Sequence, residues 1–563
     1  MRWCLFLLLP AVLSAQSTPE SSGTAATVPT ARLEGQVLSQ AGEPLRKATV
    51  RLQPNGGSRQ NAVAYSDTSD ANGNFVFEAV SPGRYNLSAQ RSGFISQNYG
   101  ARSAFNTGPG AVLTLAPGQA MKGLNFKLIP QGVITGRVVD SDGDPVQGAQ
   151  IRVMRMFRVR GQRRLSPTGG SGTDDQGDYR VANLSPGTYF VVADNINPRM
   201  FAQYETVRPG RTPNHQSNVA TYYPNGLDAA SATPVEITPG SELRGIEIQM
   251  RREAVYSIRG LLIDGATGKP VAANVNARPK DSLGFGIGMG GTNSREDGTF
   301  ELRNLLPGVY LLFAASNNGA QGTATEEITV TDSDLTGVKL ALTQGATMTG
   351  TIKLEGASPE ARTNVNVRPN ILLRGAEVSN RSSGAQSKPD GTFELQGIAP
   401  AKYFVYVDNL PDGMYVKSVR SGGQDVTHTP LDLTSGVSGT LDILLSPRAA
   451  EVSGTVRNTD GETLPGVQVT LWPKEVQTNN MSGGISISVT DQHGDFRIAS
   501  LAPGDYFVAS WEELEQGFSN DIDFLRRFTA QAVAVTLAEG AHQSAQPKLI
   551  SREAAAAEAA KLP

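Results

Sequence analysis

Histidine is the first residue type to consider, because it serves as a general base, as the partner of a nucleophilic serine and as a zinc ligand. The chain has four histidines, namely His215, His428, His493 and His542. None occurs in a His-x-x-Glu or His-Glu-x-x-His pattern, and no Gly-x-Ser-x-Gly sequence is present. These patterns favour solvated loop histidines over a zinc peptidase or a serine hydrolase. We therefore predict a non-enzymatic protein with no catalytic residues and no cofactor.

Carboxylates and thiols are the other side chains that could bind a metal ion. The only cysteine is Cys4, within the N-terminal segment predicted below to be a signal peptide, so the mature protein would have no thiolate site and no disulfide. Asp140, Asp142 and Asp144 have the alternate spacing with which carboxylates bind Ca²⁺. The corresponding segments elsewhere, such as Ser39-Gln-Ala-Gly42, lack the three acids. We predict a polar turn and no metal site, with calcium as the alternative.

Two further segments could bind anions. The glycines between Gly284 and Gly291 resemble a phosphate-binding loop, yet no helical pattern and no lysine follows them, so a hairpin tip is predicted. The densest group of positive charges comprises Arg152, Arg155, Arg158, Arg160, Arg163 and Arg164. Two interpretations of this arginine cluster stay open. It is an exposed hairpin without a partner, or it contacts an anionic surface polymer or a partner protein.

The elements that position these residues follow a repeat of about 100 residues. Five times, an aromatic residue follows an Asp- or Asn-containing turn and a Tyr stands ten residues later: Phe75 and Tyr85, Tyr179 and Tyr189, Phe300 and Tyr310, Phe393 and Tyr403, Phe496 and Tyr506. Successive first aromatics lie 104, 121, 93 and 103 residues apart, which is the size of a small β-sandwich. We predict an all-β chain of five tandem Ig-like or transthyretin-like β-sandwich domains.

Alternation along the strands indicates where the core lies. Each repeated aromatic is followed two residues later by another apolar residue, so both point to one face of a strand. The repeated aromatics are therefore predicted to be core. Pro-Gly pairs precede four of the five Tyr strands and suit type II turns, in which Gly takes a positive φ. The fourth repeat has Pro400-Ala401, and replacing Ala401 with Gly is expected to stabilise it.

The motif order resembles that of a known family. Gly-x-Val, then Gly-x-Pro-[Leu/Val]-x-Gly-Ala, then Asp-x-x-Gly-x-[Phe/Tyr] and Leu-x-Pro-Gly-x-Tyr recur along the chain, as in residues 136–189. This order is similar to that of the carboxypeptidase regulatory-like domain, a transthyretin-like or prealbumin-like sandwich grouped with starch-binding-like folds. The resemblance covers about four fifths of the chain after the N-terminal segment. It implies a bacterial secreted protein of tandem sandwiches, and no particular activity, because such modules accompany enzymes, adhesins and receptors.

The repeats divide the chain into segments. We predict a signal peptide at 1–15, a flexible linker at 16–30, sandwiches at 31–130, 131–253, 254–344, 345–448 and 449–550, and an Ala/Glu-rich tail at 551–563. The five sandwiches are called units one to five below. The signal peptide is inferred from Arg2, an apolar run from Trp3 to Leu13, and Ser14-Ala15. Export to the periplasm, the cell surface or the medium follows from it, with no membrane span after its removal.

Exposed aromatic residues are the candidates for ligand contact. Beyond the signal peptide the two tryptophans lie in unit five, and the parity of Trp511 places it opposite Tyr506 and Val508. Trp511 and Phe518 of unit five, with Tyr222 and Tyr223 of unit two, are the predicted contacts. The alternative for Trp511 is that it caps the sandwich beneath the segment that follows it.

The predicted function is a secreted or surface-exposed binding or structural protein. The alternative is a carbohydrate-binding protein that acts on an extracellular polysaccharide. The predicted partner is such a polysaccharide or a surface protein. Nucleic acid is not expected, since the formal net charge is −3 and no basic face is indicated.

Overall fold

The computed structural model describes residues 29–55, 63–101, 110–159, 162–194, 216–280, 290–315, 322–356, 368–376, 382–411, 413–475, 484–515 and 517–562. The signal peptide, His215, Arg160 and most of the Gly284–Gly291 segment lie outside these residues. The described chain forms five β-sandwiches, each with its own apolar core cluster. No helix in this part of the chain is long and apolar enough to cross a membrane.

Unit one establishes the topology that the others repeat. Its strands are β1 (Ala31–Ser39), β2 (Thr49–Pro54), β3 (Tyr65–Thr68), β4 (Asn74–Val80), β5 (Gly83–Gln90), β6 (Gln97–Asn98), β7 (Val112–Leu115), β8 (Ala120–Met121) and β9 (Phe126–Leu128). In the first sheet, β1 pairs antiparallel with β4 and parallel with β8 and β9. In the second sheet, β5 pairs with β2, β6 and β7, and β3 forms the edge beside β2.

Units two and three keep this order. Unit two contains β10 (Gly132–Val139), β11 (Gln150–Val159), β12 (Gln162–Gly172), β13 (Asp178–Leu184), β14 (Gly187–Asp194), β15 (Gln216–Asn218), β16 (Thr221–Tyr222), β17 (Val235–Ile237), β18 (Glu242–Leu243), β19 (Ile248–Gln249) and β20 (Arg252–Ala254). Unit three contains β21 (Tyr256–Asp264), β22 (Asn274–Pro279), β23 (Gly290–Asn293), β24 (Thr299–Leu305), β25 (Gly308–Ala315), β26 (Thr323–Val330) and β27 (Leu335–Leu342). Their second sheets have the orders β12-β11-β14-β16 and β23-β22-β25-β26.

Unit four resembles them. It contains β28 (Ala346–Leu354), β29 (Asn370–Gly375), β30 (Ser382–Gln386), β31 (Thr392–Ile398), β32 (Lys402–Asp408), β33 (Tyr415–Ser421), β34 (Gln424–Asp425), β35 (Leu431–Asp432) and β36 (Leu441–Ser446). The first sheet has the order β31-β28-β36-β33-β34, and the second has the order β30-β29-β32-β35.

Unit five adds helices to the same framework. It contains β37 (Ala450–Thr455), β38 (Gln468–Pro473), β39 (Ser486–Val489), β40 (Asp495–Leu501), β41 (Gly504–Trp511), a 3₁₀ turn (Phe518–Asn520), α1 (Ile522–Arg526), β42 (Val533–Leu537), β43 (His542–Ser544), β44 (Leu549–Ile550) and α2 (Arg552–Ala559). Its second sheet runs β39-β38-β41-β42. Helix α2 forms the predicted tail and buries Ala555 against the residues that follow β41.

The repeated aromatics are core, as predicted. Phe75 and Phe393 are 1 % and 2 % exposed, and the repeated Tyr residues are all buried. Each repeated first aromatic lies opposite the glycine of the first strand, as Tyr179 lies opposite Gly136. A Cβ at Gly136 would be 1.9 Å from the Ile246 carbonyl oxygen, so the glycine lets the closing segment approach.

Each repeated Tyr also closes its own turn. Its hydroxyl donates to the carbonyl four residues earlier, from Tyr85 to Ser81, Tyr189 to Ser185, Tyr310 to Leu306, Tyr403 to Ala399 and Tyr506 to Ala502. Burial raises the pKa of the Tyr310 and Tyr506 hydroxyls, so both stay protonated as donors. The ring thus packs in the core while the hydroxyl fixes the turn that precedes its strand.

The type II turn prediction is wrong. Gly187 and Gly308 have φ values of 143° and 156°, far from the value of about 80° that a type II turn requires. The left-handed residue lies four positions earlier, at Asn183, Asn304 and Ser500 and at Gly397 of unit four. The first strand shifts register opposite these positions, as between Ala346 and Met348, which marks a β-bulge. Ala401 is not among the described residues with positive φ, so it has no need to be glycine.

In each unit, the face of the second sheet that points away from the sandwich core is called the outward face. The outward faces differ among the units. In unit two it carries a second apolar cluster of Met154, Leu165, Val192 and Tyr222. In unit five it carries a larger one that includes Trp472, Trp511 and Phe528. The predicted boundaries near residues 131, 254, 345 and 449 stay predictions.

Candidate functional site: the contact between units two and five

The arginine cluster lies on a long hairpin formed by β11 and β12. Along β11 the side chains alternate, so Met154, Met156 and Arg158 share one face. The register sets Met156 opposite Leu165 and Arg158 opposite Arg163. Met154 and Leu165 are buried in the apolar cluster on the outward face of unit two. This packing fixes the base of the hairpin and directs Arg158 beyond the unit.

The segment between β41 and β42 receives Arg158. This segment, residues 512–532, is called the insertion. Its Phe524 and Phe528 rings lie 5.6 Å and 5.0 Å from the Trp511 ring, and the Phe518 ring lies 4.7 Å from that of Phe524. The Trp511 indole N–H donates to Thr470 Oγ1 at 3.1 Å. Three aromatic side chains of the insertion therefore pack over Trp511 or against one another, which attaches the insertion to the sheet.

The central contact is an ion pair between Arg158 and Asp521. Arg158 Nε donates to Asp521 Oδ2 at 2.8 Å, and the two side chains are 8 % and 2 % exposed. Asp521 Oδ1 accepts the backbone N–H groups of Asp523 and Phe524, so the same carboxylate is the N-cap of α1. The guanidinium carbon also lies 5.8 Å from the centre of the Phe518 ring. We call this arrangement the hairpin–insertion contact.

The backbone approaches equally closely at Gly517. Its φ is 99°, and a Cβ there would be 2.3 Å from the Arg158 carbonyl oxygen. Only glycine accommodates both the conformation and the separation. The insertion is therefore shaped to meet the hairpin.

The other arginines of the cluster have separate environments. Arg152 pairs with the buried Asp194 at 2.8 Å within unit two, and the Arg155 guanidinium carbon lies 5.9 Å from the Phe157 ring centre. Arg163 and Arg164 are exposed. Of the two interpretations of the cluster, the exposed hairpin without a partner is wrong, because Arg158 is paired with another unit of the same chain. Neither interpretation included this intramolecular partner.

Unit five also contacts unit one. The Gln492 side chain accepts the Thr114 backbone N–H and donates to the Thr114 carbonyl, both at 3.1 Å. Gly466 lies so close to Gly100 that an added Cβ would be 1.6 Å from the Gly100 carbonyl oxygen. Unit five thus contacts both units at the other end of the chain.

The junction of units four and five carries an ionic network. Glu539 of unit five accepts from Tyr415, Lys417 and Ser446 at 3.0, 3.2 and 2.9 Å and pairs with Arg448 at 2.8 Å. Lys417 also pairs with Glu355. The Lys417 ammonium lowers the pKa of Glu355 to about 2, and the Ser446 hydroxyl lowers the pKa of Glu539.

The residues predicted for ligand contact are buried or half-buried. Trp511, Phe518 and Tyr222 are 1 %, 7 % and 3 % exposed, and Tyr223 packs half-buried against the core of unit two. Trp511 does face away from the first core, as its parity predicts, but the insertion covers it. The alternative that Trp511 caps the sandwich beneath the insertion is therefore what the structure shows. A stacking platform needs an open ring face, which the covered rings of Trp511, Phe518 and Tyr222 do not present. Ligand contact by the four residues stays a prediction.

The polar candidates form local structure. Asp140 Oδ1 accepts the backbone N–H groups of Asp142 and Asp144, in the same turn that Asp174 makes with Gln176 and Asp178. Among the described residues, no three His, Cys, Asp or Glu side chains form a group that could hold a metal. The three histidines in this part of the chain are all exposed.

Sequence patterns carried part of the signal for the hairpin–insertion contact. Apolar residues such as Met154 and Met156 lie among the arginines of β11 and argue against a fully solvated loop, and the aromatic and acidic residues after Trp511 indicate an insertion. Nothing in either segment indicates that they meet, because pairing across 363 residues follows from the arrangement of the units.

The fold defines a tandem β-sandwich protein whose non-consecutive units contact one another. Residues 32–128 and 133–220 match the carboxypeptidase regulatory-like domain. Units one and two thus contain the segments that match this family model, and units three to five repeat their strand order. The domain matched is a regulatory-like module and is non-catalytic.

The chain also matches one curated protein and several solved structures at low identity. Colossin-A of Dictyostelium discoideum is 25% identical over 238 residues, which is 38% of this chain, and the chain spans about 2% of the length of that protein. The minor pilin GBS52 of Streptococcus agalactiae is 13% identical with a TM-score of 0.23, and the match covers 40% of this chain and 97% of the pilin. The major pilin subunit BcpA of Bacillus cereus is 10% identical with a TM-score of 0.14, covering 56% and 99%.

Proposed function

We propose that this chain is a non-catalytic, exported architectural protein that holds its sandwiches in a closed arrangement at the cell surface or outside the cell. The Arg158–Asp521 pair carries the proposal. It is nearly solvent-free, it joins units that are not neighbours in sequence, and it shares its carboxylate with a helix cap. A chain of independent sandwiches on flexible linkers has no use for such a contact.

The remaining inter-unit contacts support the same function. Gln492 contacts unit one, and Glu539 contacts unit four, so unit five contacts three other units. An arrangement with several fixed contacts holds the exposed surfaces of the units at constant spacing. The partner of the protein is an extracellular polysaccharide or a surface protein that binds one of these exposed surfaces. The carbohydrate-binding alternative gains no support from unit five, because its aromatic residues are covered.

Small-angle X-ray scattering of the full chain tests the closed arrangement. The wild-type protein should give a distance distribution that matches the closed form, and Arg158→Ala should extend it. Arg163→Ala is the matched control, since Arg163 lies opposite Arg158 on the hairpin and is exposed. An extended wild-type protein, or identical curves for wild type and Arg158→Ala, would contradict the proposal.

Chemical crosslinking tests the contact between units one and five separately. The double variant Thr114→Cys/Gln492→Cys in a Cys4→Ser background should react with a short bismaleimide to give an internally crosslinked monomer. The control pair is Ser88→Cys/Gln492→Cys, in which the first position is moved to the neighbouring strand β5. Equal reaction of both pairs would show that units one and five have no fixed contact.

A further inference from the structure

Corresponding positions on the outward faces can be compared across the units. Ser88, Val192, Phe313, Tyr406 and Ala509 each lie three residues after the repeated Tyr. Val192 and Ala509 belong to the apolar clusters that cover the outward faces of units two and five. Unit one presents Ser88 opposite Arg51, which is a polar surface. Unit three presents an aromatic residue, and Phe313 belongs to none of the apolar clusters formed by the described residues.

The registers of unit three arrange two rows across its four strands. In the first row Asn276 of β22 pairs with Phe313 of β25, and Phe313 pairs with Thr325 of β26. In the second row Asn293 of β23 pairs with Asn274 of β22. Phe313, Asn274 and Asn276 are half-buried, and Asn293 and Thr325 are exposed. We call the surface formed by these residues the unit-three face.

The three asparagines of this face form a ladder. The Asn276 side-chain amide donates to Asn274 Oδ1, and the Asn274 amide donates to Asn293 Oδ1 at 3.3 Å. These bonds orient the three planar groups. They use neither the side-chain oxygen of Asn276 nor the N–H groups of Asn293, which retain the capacity to bind a ligand.

Charge is displaced from the ladder to one end of the sheet. Lys280 pairs with Glu327 at 2.8 Å, and both Glu327 and Arg278 lie opposite Leu311, in the row next to that of Phe313. The rows that contain Phe313 and the asparagines carry no charged residue. A neutral ligand therefore fits this surface better than an anionic polymer.

We propose that the unit-three face binds a neutral glycan chain. A half-exposed phenyl ring packs against the apolar face of a pyranose, and oriented amides exchange hydrogen bonds with its hydroxyl groups. Strands lie about 4.8 Å apart, which is close to the advance per residue of an extended hexopyranose chain. Successive sugars can thus meet successive strands. This inference rests on the proposed extracellular role and names the class of its polysaccharide partner.

Affinity electrophoresis of the full chain in native gels containing laminarin, hydroxyethyl cellulose or soluble starch tests the proposal, with alginate as the anionic comparison. At least one neutral polysaccharide should retard the wild-type protein, and alginate should retard it less. Phe313→Leu keeps apolar volume but removes the ring, and should weaken binding about fivefold or more. Phe313→Tyr should stay within about twofold, and Asn276→Ala should weaken binding with an unchanged melting temperature.

Two variants serve as controls. Tyr406→Ala changes the corresponding residue of unit four, whose ring has the Arg374 guanidinium carbon 5.4 Å from its centre, and it should leave retardation unchanged. Arg158→Ala should also leave it unchanged, so failure of the closed arrangement and failure of glycan binding are separate results. The proposal is overturned by no retardation in any neutral gel, by stronger retardation in alginate, or by equal retardation of wild type and Phe313→Leu.

Discussion

Arg158 of unit two donates to the Asp521 carboxylate of unit five at 2.8 Å, across 363 residues of chain. The other oxygen of that carboxylate caps α1. One side chain therefore connects the local folding of the insertion to the contact between two distant units. A change at either residue should alter both.

Arg158→Ala should destabilise unit five by about 3 kcal/mol, because it leaves the Asp521 charge buried without its partner. Asp521→Asn removes the charge but keeps a residue that caps helices well. The double variant Arg158→Ala/Asp521→Asn should therefore lose little more unfolding free energy than either single variant. Urea unfolding followed by Trp472 and Trp511 fluorescence reports on unit five. Additive costs in the double-mutant cycle would show that the two residues do not interact.

Gly517→Ala tests the close backbone approach, and Gly461→Ala is its matched control. Both glycines have positive φ, 99° and 83°, but only Gly517 has a backbone atom of another unit near its added Cβ. The control Gly461→Ala should lower the unfolding free energy by about 1 kcal/mol, because alanine disfavours a positive φ. Gly517→Ala should lose about 1–3 kcal/mol more, because the hairpin must move. Equal losses in urea unfolding would mean that the hairpin does not lie against Gly517.

Ser500→Gly should stabilise unit five by about 0.5–1 kcal/mol, since Ser500 is exposed and has a φ of 60° in the bulge before Leu501. Ala401→Gly, by contrast, should destabilise unit four by about the same amount, because glycine adds freedom to the unfolded chain. Calorimetry of the full-length variants distinguishes the two. Stabilisation by Ala401→Gly would restore the original assignment of that turn.

Acid should weaken the junction of units four and five. The pKa of Glu355 falls from its ordinary 4.5 to about 2, first through its hydrogen bond with Lys417, and the pKa of Glu539 is also lowered. A lowered folded-state pKa contributes stability that is present above the unfolded value and is lost as pH falls toward the folded value. The loss should therefore fall between pH 4.5 and about 2. Glu355→Gln should flatten the dependence of the urea midpoint on pH in this window, and Glu43→Gln, an exposed change in unit one, should not.

N-terminal sequencing of the protein from its native host should give Gln16 as the first residue. This prediction comes from the apolar run and Ser14-Ala15 alone, since these residues lie outside those that the structure describes. Fractionation of the same cells should place the protein outside the cytoplasm. Recovery of Met1 would contradict export through this segment.

The sequence predicts the interior of each unit well, because the residues that form it recur at the same spacing within each repeat. Phe75 and Tyr85 share a core since the strands that carry them are joined by one short turn, and the same spacing recurs in every unit. The turn prediction failed for a local reason. A Pro-Gly pair suits a type II turn, but the φ of Gly308 is 156° and the left-handed residue of this region is the bulge residue Asn304.

Only parts of the candidate site can be predicted from the sequence. The parity of Trp511 correctly predicts the face of the strand on which it lies, but it does not predict what covers that face. Whether an outward aromatic is open, as Phe313 is in part, or covered, as Trp511 is, depends on segments that pack over the sheet. The partner of Arg158 depends further on how five units are placed, which no local pattern encodes.

The separation of Arg158 from Asp521 along the chain also sets a delay during synthesis. At about 5–20 residues per second, between roughly 20 and 70 s pass after Arg158 is made before Asp521 exists. The sequences of units two, three and four are completed within that interval, while the hairpin of unit two still lacks its partner. The hairpin–insertion contact therefore forms only after units two to four have been made, and a chaperone that protects the hairpin would act before it.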